Sequence, residues 1–206
     1  MTRSRSIFAG MTDYTGVTLP DILEHFRSWR EGTQEVIDTL SSLRASVLDA
    51  KMQFHLPNEV LTYIDSMSDL LARYRGDFDR LVRELPHGVT NAHVEIVSQI
   101  YESSVHEERW CIQFKRDHIE RSTHEESVRP ILDKIYGESR DMLIDYRDLS
   151  NVVPRLRTFV GSGVGASSPD LITLKPSFWG VGVDVKEVAR RIRRWWQNRR
   201  GKDGRF

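Results

Sequence analysis

Two short runs place histidine beside paired carboxylates, His106-Glu107-Glu108 and His124-Glu125-Glu126. These residue types hold transition metals, and Glu102 with His106 and Glu120 with His124 are each four apart, so each pair would share a helical face. Di-iron bundles instead take Glu and His three apart on facing helices, together with further carboxylates. Here the spacing differs and both pairs lie on consecutive segments, so the runs read as a solvated charged face. No metal or other cofactor is expected.

Nucleophilic chemistry has one candidate. Glu107, Cys111, Phe114 and His118 fall on one stripe of a helix, which would place a histidine near the chain's single thiol. A reactive thiolate also needs an electropositive, partly open setting and an orienting group. Cys111 therefore reads as a small core residue and His118 as a core-edge histidine. No nucleophile-elbow sequence frames any serine. Gly161, Gly163 and Gly165 superficially resemble a phosphate cradle, but no strand leads into them and no Gly-Lys-Ser/Thr follows. The chain is expected to be non-catalytic, with a metal- or cysteine-dependent enzyme as the distant alternative.

Surface-binding chemistry is concentrated in residues 171–206. From Val185 onward Val185, Val188, Ala189, Ile192, Trp195 and Trp196 form one apolar stripe at helical spacing, while Lys186, Arg190, Arg191, Arg193, Arg194 and Arg200 occupy the rest of the circumference. Arg199 falls back over the stripe near the helix end. Asp184, followed three residues on by Glu187, suits a helix start. Upstream, Trp179, Val181, Val183 and Val185 alternate with Phe178, Gly180, Gly182 and Asp184, a period of two that predicts a short strand, with Leu171–Leu174 as its hairpin partner across Lys175-Pro176-Ser177. Trp179 joins the helix in the predicted docking set.

Net charge is zero over the 206 residues, but it is unevenly divided. Residues 1–150 carry 18 Lys+Arg against 26 Asp+Glu, a net of −8, and residues 151–206 carry 12 against 4, a net of +8. The basic tail is expected either to meet an external polyanion or acidic partner, or to fold back on the chain's own acidic body. Basic residues near an anionic membrane contribute about 1 kcal/mol each, and tryptophan favours the interface. Nucleic acid is the weaker alternative, because aromatic and basic faces on opposite sides of one helix cannot both face a duplex.

Those groups need a scaffold. Ile22, Phe26, Trp29, Thr33, Val36, Leu40, Leu43, Val47, Ala50 and Phe54 follow an unbroken 4-3 spacing in which only Thr33 is polar. Leu56-Pro57-Asn58 breaks the chain, and Val60, Ile64, Met67, Leu71, Tyr74, Phe78, Leu81 and Leu85 repeat the rhythm as far as Pro86-His87-Gly88. Seams of period 3.5 predict long helices packed nearly along one another, and short connections make neighbours antiparallel. The segment from Asn91 to Arg121 is apolar on two faces, Val97, Ile100, Cys111 and Phe114 on one and Val94, Tyr101, Val105, Ile112 and Ile119 on the other. That pattern suits a helix held between neighbours. Val128, Leu132, Ile135, Met142, Tyr146, Leu149 and Val153 restore the heptad, with Pro130 marking either a kink or the true start.

The predicted organisation is a disordered leader over 1–17, an elongated all-α antiparallel bundle of four long helices over 18–158, a Gly/Ser linker over 159–170, and the basic tail over 171–206. The third and fourth helices could also run on as one. No signal-like apolar run opens the chain, no segment reaches the ~20 apolar residues a membrane span requires, and one cysteine excludes an intramolecular disulfide framework. A cytoplasmic protein with peripheral membrane contact is expected, forming a homo-oligomer or pairing with a helical protein partner through its seams.

Overall fold

The structure, a computed structural model, describes residues 16–54, 56–121 and 128–161, and every described residue is in a helix, a turn or a short connection. The chain divides into two compact units, Met1–Ser167 and Ser168–Phe206, and all described residues belong to the first. The predicted hairpin and amphipathic helix lie outside them.

Helix α1 spans Leu19–Phe54, 36 residues or about 54 Å. It begins with a reciprocal cap: the Thr18 amide donates to Asp21 Oδ2 at 2.9 Å, and the Asp21 amide donates to Thr18 Oγ1 at 3.4 Å. Pro20 sits in the first turn, where its missing N–H costs nothing. Helix α2 spans Asn58–Glu84 and ends in a single 3₁₀ turn at Leu85–His87. Gly88 makes the connection to α3 at φ 137°, a conformation in which any side chain would be strained.

Helix α3 spans Asn91–Lys115 and widens into one π turn at Arg116–Glu120. Helix α4, Arg129–Asp145, begins at the predicted proline, with Pro130 in its first turn, so the proline marks the start and not a kink. A 3₁₀ turn at Tyr146–Asp148 joins α4 to α5, Leu149–Phe159. α5 passes through Pro154 and ends beside Gly161, whose φ of 73° suits a glycine terminator.

The helices run up, down, up and down. Arg30 pairs with Asp79 and Arg44 with Asp65, which sets α1 antiparallel to α2. Tyr63 meets Cys111 while Glu84 meets His93, which sets α2 antiparallel to α3. The Arg155 Nε donates to the Val17 carbonyl at 2.6 Å, tying α5 to the chain entering α1. The 4-3 seams bury as predicted: Ile22, Phe26, Leu40 and Val47 on α1, and Val60, Ile64, Met67, Leu71, Phe78 and Leu81 on α2, are almost wholly inaccessible. Both seams are thus closed within one chain. At about 25 cal/mol per Å² of apolar area, this continuous core is the main source of stability.

Thr33, the single polar residue in the α1 seam, is buried in that core. Its hydroxyl donates to the Trp29 carbonyl at 2.6 Å, and the same oxygen is hydrogen-bonded to the hydroxyl of Tyr146, the largest fully buried side chain among the described residues. Because the threonine proton is committed to the carbonyl, the tyrosine must donate. The resulting chain fixes the start of the 3₁₀ turn between α4 and α5 against the middle of α1. Trp29, Tyr74 and Phe78 surround the Tyr146 ring at centroid distances of 6.2, 5.4 and 5.6 Å.

Candidate functional site

The His106–Glu108 run does not behave as one solvated face. His106 and Glu102 are exposed and Glu107 is half-buried, but Glu108 is 7 % exposed and points between α3 and α4. There Arg147 donates to its Oε2, and Arg140 Nε lies 3.8 Å from its Oε1. The expectation of solvent for Glu108 is therefore corrected. A carboxylate could be buried there only because two guanidiniums, both reaching in from the surface, replace the lost water. His124, Glu125 and Glu126 lie outside the described residues. Among the described residues no three His, Cys, Asp or Glu side chains converge as metal ligands.

Cys111 is wholly buried, and its sulfur accepts a hydrogen bond from the Tyr63 hydroxyl at 3.1 Å. Burial pushes the thiol up to about 11, with nearby Glu108 and Glu107 adding to the rise. At neutral pH the group is a protonated, shielded thiol. Tyr63 is clamped by stacking on Phe114 at 4.1 Å and tilting against Trp110 at 4.8 Å, while the His118 ring rests on Phe114 at 5.1 Å. The stripe Glu107, Cys111, Phe114 and His118 is thus real, but the thiol's hydrogen bond goes to a tyrosine across the helix interface.

Sequence spacing passed over two histidines. His25 is 1 % exposed, three residues after Ile22 and four before Trp29, whose ring it meets at 3.7 Å. Burial drops its pKa to about 3, so it is neutral through the physiological range. His93 lies in the first turn of α3, where its Nδ1 accepts from the Thr90 amide at 3.2 Å. Its Nε2 must then carry the proton and donate to Glu84 at 3.1 Å. That bond, with the one from Arg80, holds the Glu84 carboxyl below the usual carboxylate range. His93 thus acts as the cap partner of α3 and as a tie to the end of α2.

Among the described residues, Ser104 and Ser139 complete the set of buried polar side chains. In α3 the seam runs Val97, Ile100, Ser104, Glu108, Cys111 and Phe114, so two polar residues fill the gap that the apolar pattern left between Ile100 and Cys111. The second apolar face of α3 is covered at its ends and open in its middle. Val94 and Ile119 are buried, Tyr101 is half-buried, and Val105 and Ile112 are 36 % and 44 % exposed. α3 is therefore held on one side and open on the other.

The residues predicted to dock, Trp179, Val188, Arg190 to Arg194, Trp195, Trp196, Arg199 and Arg200, lie outside the described residues, as do Gly163 and Gly165. No helix among the described residues is long and apolar enough to cross a membrane. No protein-family model matches the sequence, and no curated protein and no solved structure shows significant similarity to it.

Proposed function

We propose that this chain is a non-catalytic helical interaction module whose basic C-terminal segment docks it on an anionic membrane surface. The observation that carries the reading is the division of charge, −8 over residues 1–150 and +8 over 151–206, with Trp195, Trp196, Val188 and Ile192 aligned at helical spacing among the arginines. Five or six arginines at about 1 kcal/mol each, with two interfacial tryptophans, are enough for reversible association. The bundle supports the scaffold half of the reading, because its chemistry-bearing side chains serve the packing. Glu108 is held by arginines, Cys111 is capped by Tyr63, Thr33 is bonded to Tyr146, and His93 closes a helix end.

The double change Trp195→Ala and Trp196→Ala tests it. Flotation with phosphatidylserine-rich vesicles should fall sharply, since each tryptophan contributes apolar area and interfacial preference. Duplex DNA binding that exceeds vesicle binding at equal ionic strength, and persists without both tryptophans, would replace the membrane reading with the nucleic-acid one.

A further inference from the structure

Helix α3 carries two ladders. The inner one is consumed by the bundle. The outer one runs Tyr101, Val105, Arg109, Ile112 and Arg116, in steps of four, four, three and four, the spacing with which one helix receives another. Its centre is uncovered: Val105 and Ile112 are two of the three large hydrophobic residues exposed among those described, and they lie two turns apart on one face. Arg109 and Arg116 are exposed and form no ion pair among the described residues, and the ladder itself contains no carboxylate.

Two arginines from the neighbouring segment lie near it, Arg140 on α4 and Arg147 on the turn after it. Val105 and Ile112 flank Glu108 at three residues before and four after, so on the helix they neighbour the carboxylate that both guanidiniums meet. Both guanidiniums turn to the one carboxylate of Glu108, and both remain partly exposed at 39 % and 51 %. The patch is therefore an aliphatic strip with Arg109, Arg116, Arg140 and Arg147 around it, and Glu102 and the Lys115-paired Glu120 as the acids at its border.

From this pattern we infer that the outer ladder of α3 is a docking face for an acidic amphipathic helix of a partner protein, its aliphatic side chains on Val105 and Ile112 and its carboxylates on the arginines. Charge decides the occupant. The chain's own basic tail would set arginine against arginine, and a second copy of the same ladder would do likewise. A membrane suits it less, because Arg109 interrupts the strip between Val105 and Ile112 and no continuous apolar face exists to immerse. The residues of this site are not those of the tail, so its test is independent of vesicle recruitment.

The full-length protein is titrated into a fluorescent three-heptad peptide with leucine at a and d and glutamate at e and g, and into the same peptide with lysine in place of glutamate. The glutamate peptide should bind and the lysine peptide should not. Ile112→Asp, and separately the pair Arg109→Glu with Arg116→Glu, should each weaken binding by about tenfold or more. All three residues are exposed, and an unchanged melting temperature would show that each variant is folded. The inference is overturned if neither peptide binds, if both bind alike, or if the variants bind as wild type. It is also overturned if binding is lost only when residues 184–206 are removed, or if the α3 variants lose vesicle recruitment in place of peptide binding.

Discussion

The hydrogen-bond chain from Tyr146 through Thr33 to the Trp29 carbonyl admits a quantitative test. Thr33→Val is nearly isosteric and removes the hydroxyl that Tyr146 bonds to, so a buried tyrosine hydroxyl loses that bond. Breaking it from this side costs about 1–3 kcal/mol. Tyr146→Phe removes the donor but leaves Thr33 its bond to the Trp29 carbonyl, so the loss is smaller, about 1 kcal/mol. The double variant replaces the bond by two apolar groups of the same shape. It should therefore cost less than the two single changes added, with a coupling energy of about 1 kcal/mol or more. Urea denaturation followed by circular dichroism measures all three, provided the m-value is unchanged. Strictly additive losses would show that the two hydroxyls do not interact and that Thr33 is a tolerated polar residue with no structural role.

Acid should destabilise the bundle through His25. Its folded pKa of about 3 lies below the ordinary 6.5, so the unfolded chain binds the extra proton between those values and stability falls as pH drops through that window. The slope approaches about 1.4 kcal/mol per pH unit, and a His25→Gln variant should lack this component. A wild-type curve flat from pH 6.5 to 4.5 would contradict the burial argument. At Glu108, Glu108→Gln should cost about 1–2 kcal/mol by leaving two guanidiniums uncompensated, whereas Glu108→Leu combined with Arg147→Met should recover much of that loss. Cys111 should resist iodoacetamide in the folded protein and react on unfolding, and prompt modification at neutral pH would show that the Tyr63 clamp does not hold. Gly88→Ala should destabilise by about 1–3 kcal/mol through its positive φ alone, because the space around it is empty.

The long elements were legible because their apolar residues keep one period without interruption. Val60 to Leu85 marks α2 by itself, and Pro57, Gly88 and Pro130 mark breaks by removing a donor or requiring a special backbone angle. What escaped was polar residues that obey the same period. Ser104 and Glu108 continue the inner seam of α3, and Ser139 continues that of α4 between Ile135 and Met142, yet hydrophobicity alone discards all three. Carrying the period across the Ile100–Cys111 gap would have placed Glu108 inside, and its compensation could then have been sought among arginines on another helix. His25 has the same explanation, since the steps from Ile22 to His25 to Trp29 are three and four. The 3₁₀ turn at Tyr146–Asp148 left no local mark. It follows from tertiary bonds, Tyr146 to Thr33 and Arg147 to Glu108, that no window of sequence contains.

Co-flotation of the full-length chain and of residues 1–183 with vesicles of phosphatidylcholine, with and without phosphatidylserine, tests the central proposal most directly. The full-length protein should float with the anionic vesicles, remain behind with the neutral ones, and be released as salt rises, while residues 1–183 should bind neither and melt at the wild-type temperature. Equal recruitment of the truncated protein, or loss of thermal stability in place of recruitment, would show that the segment serves the bundle and not the membrane.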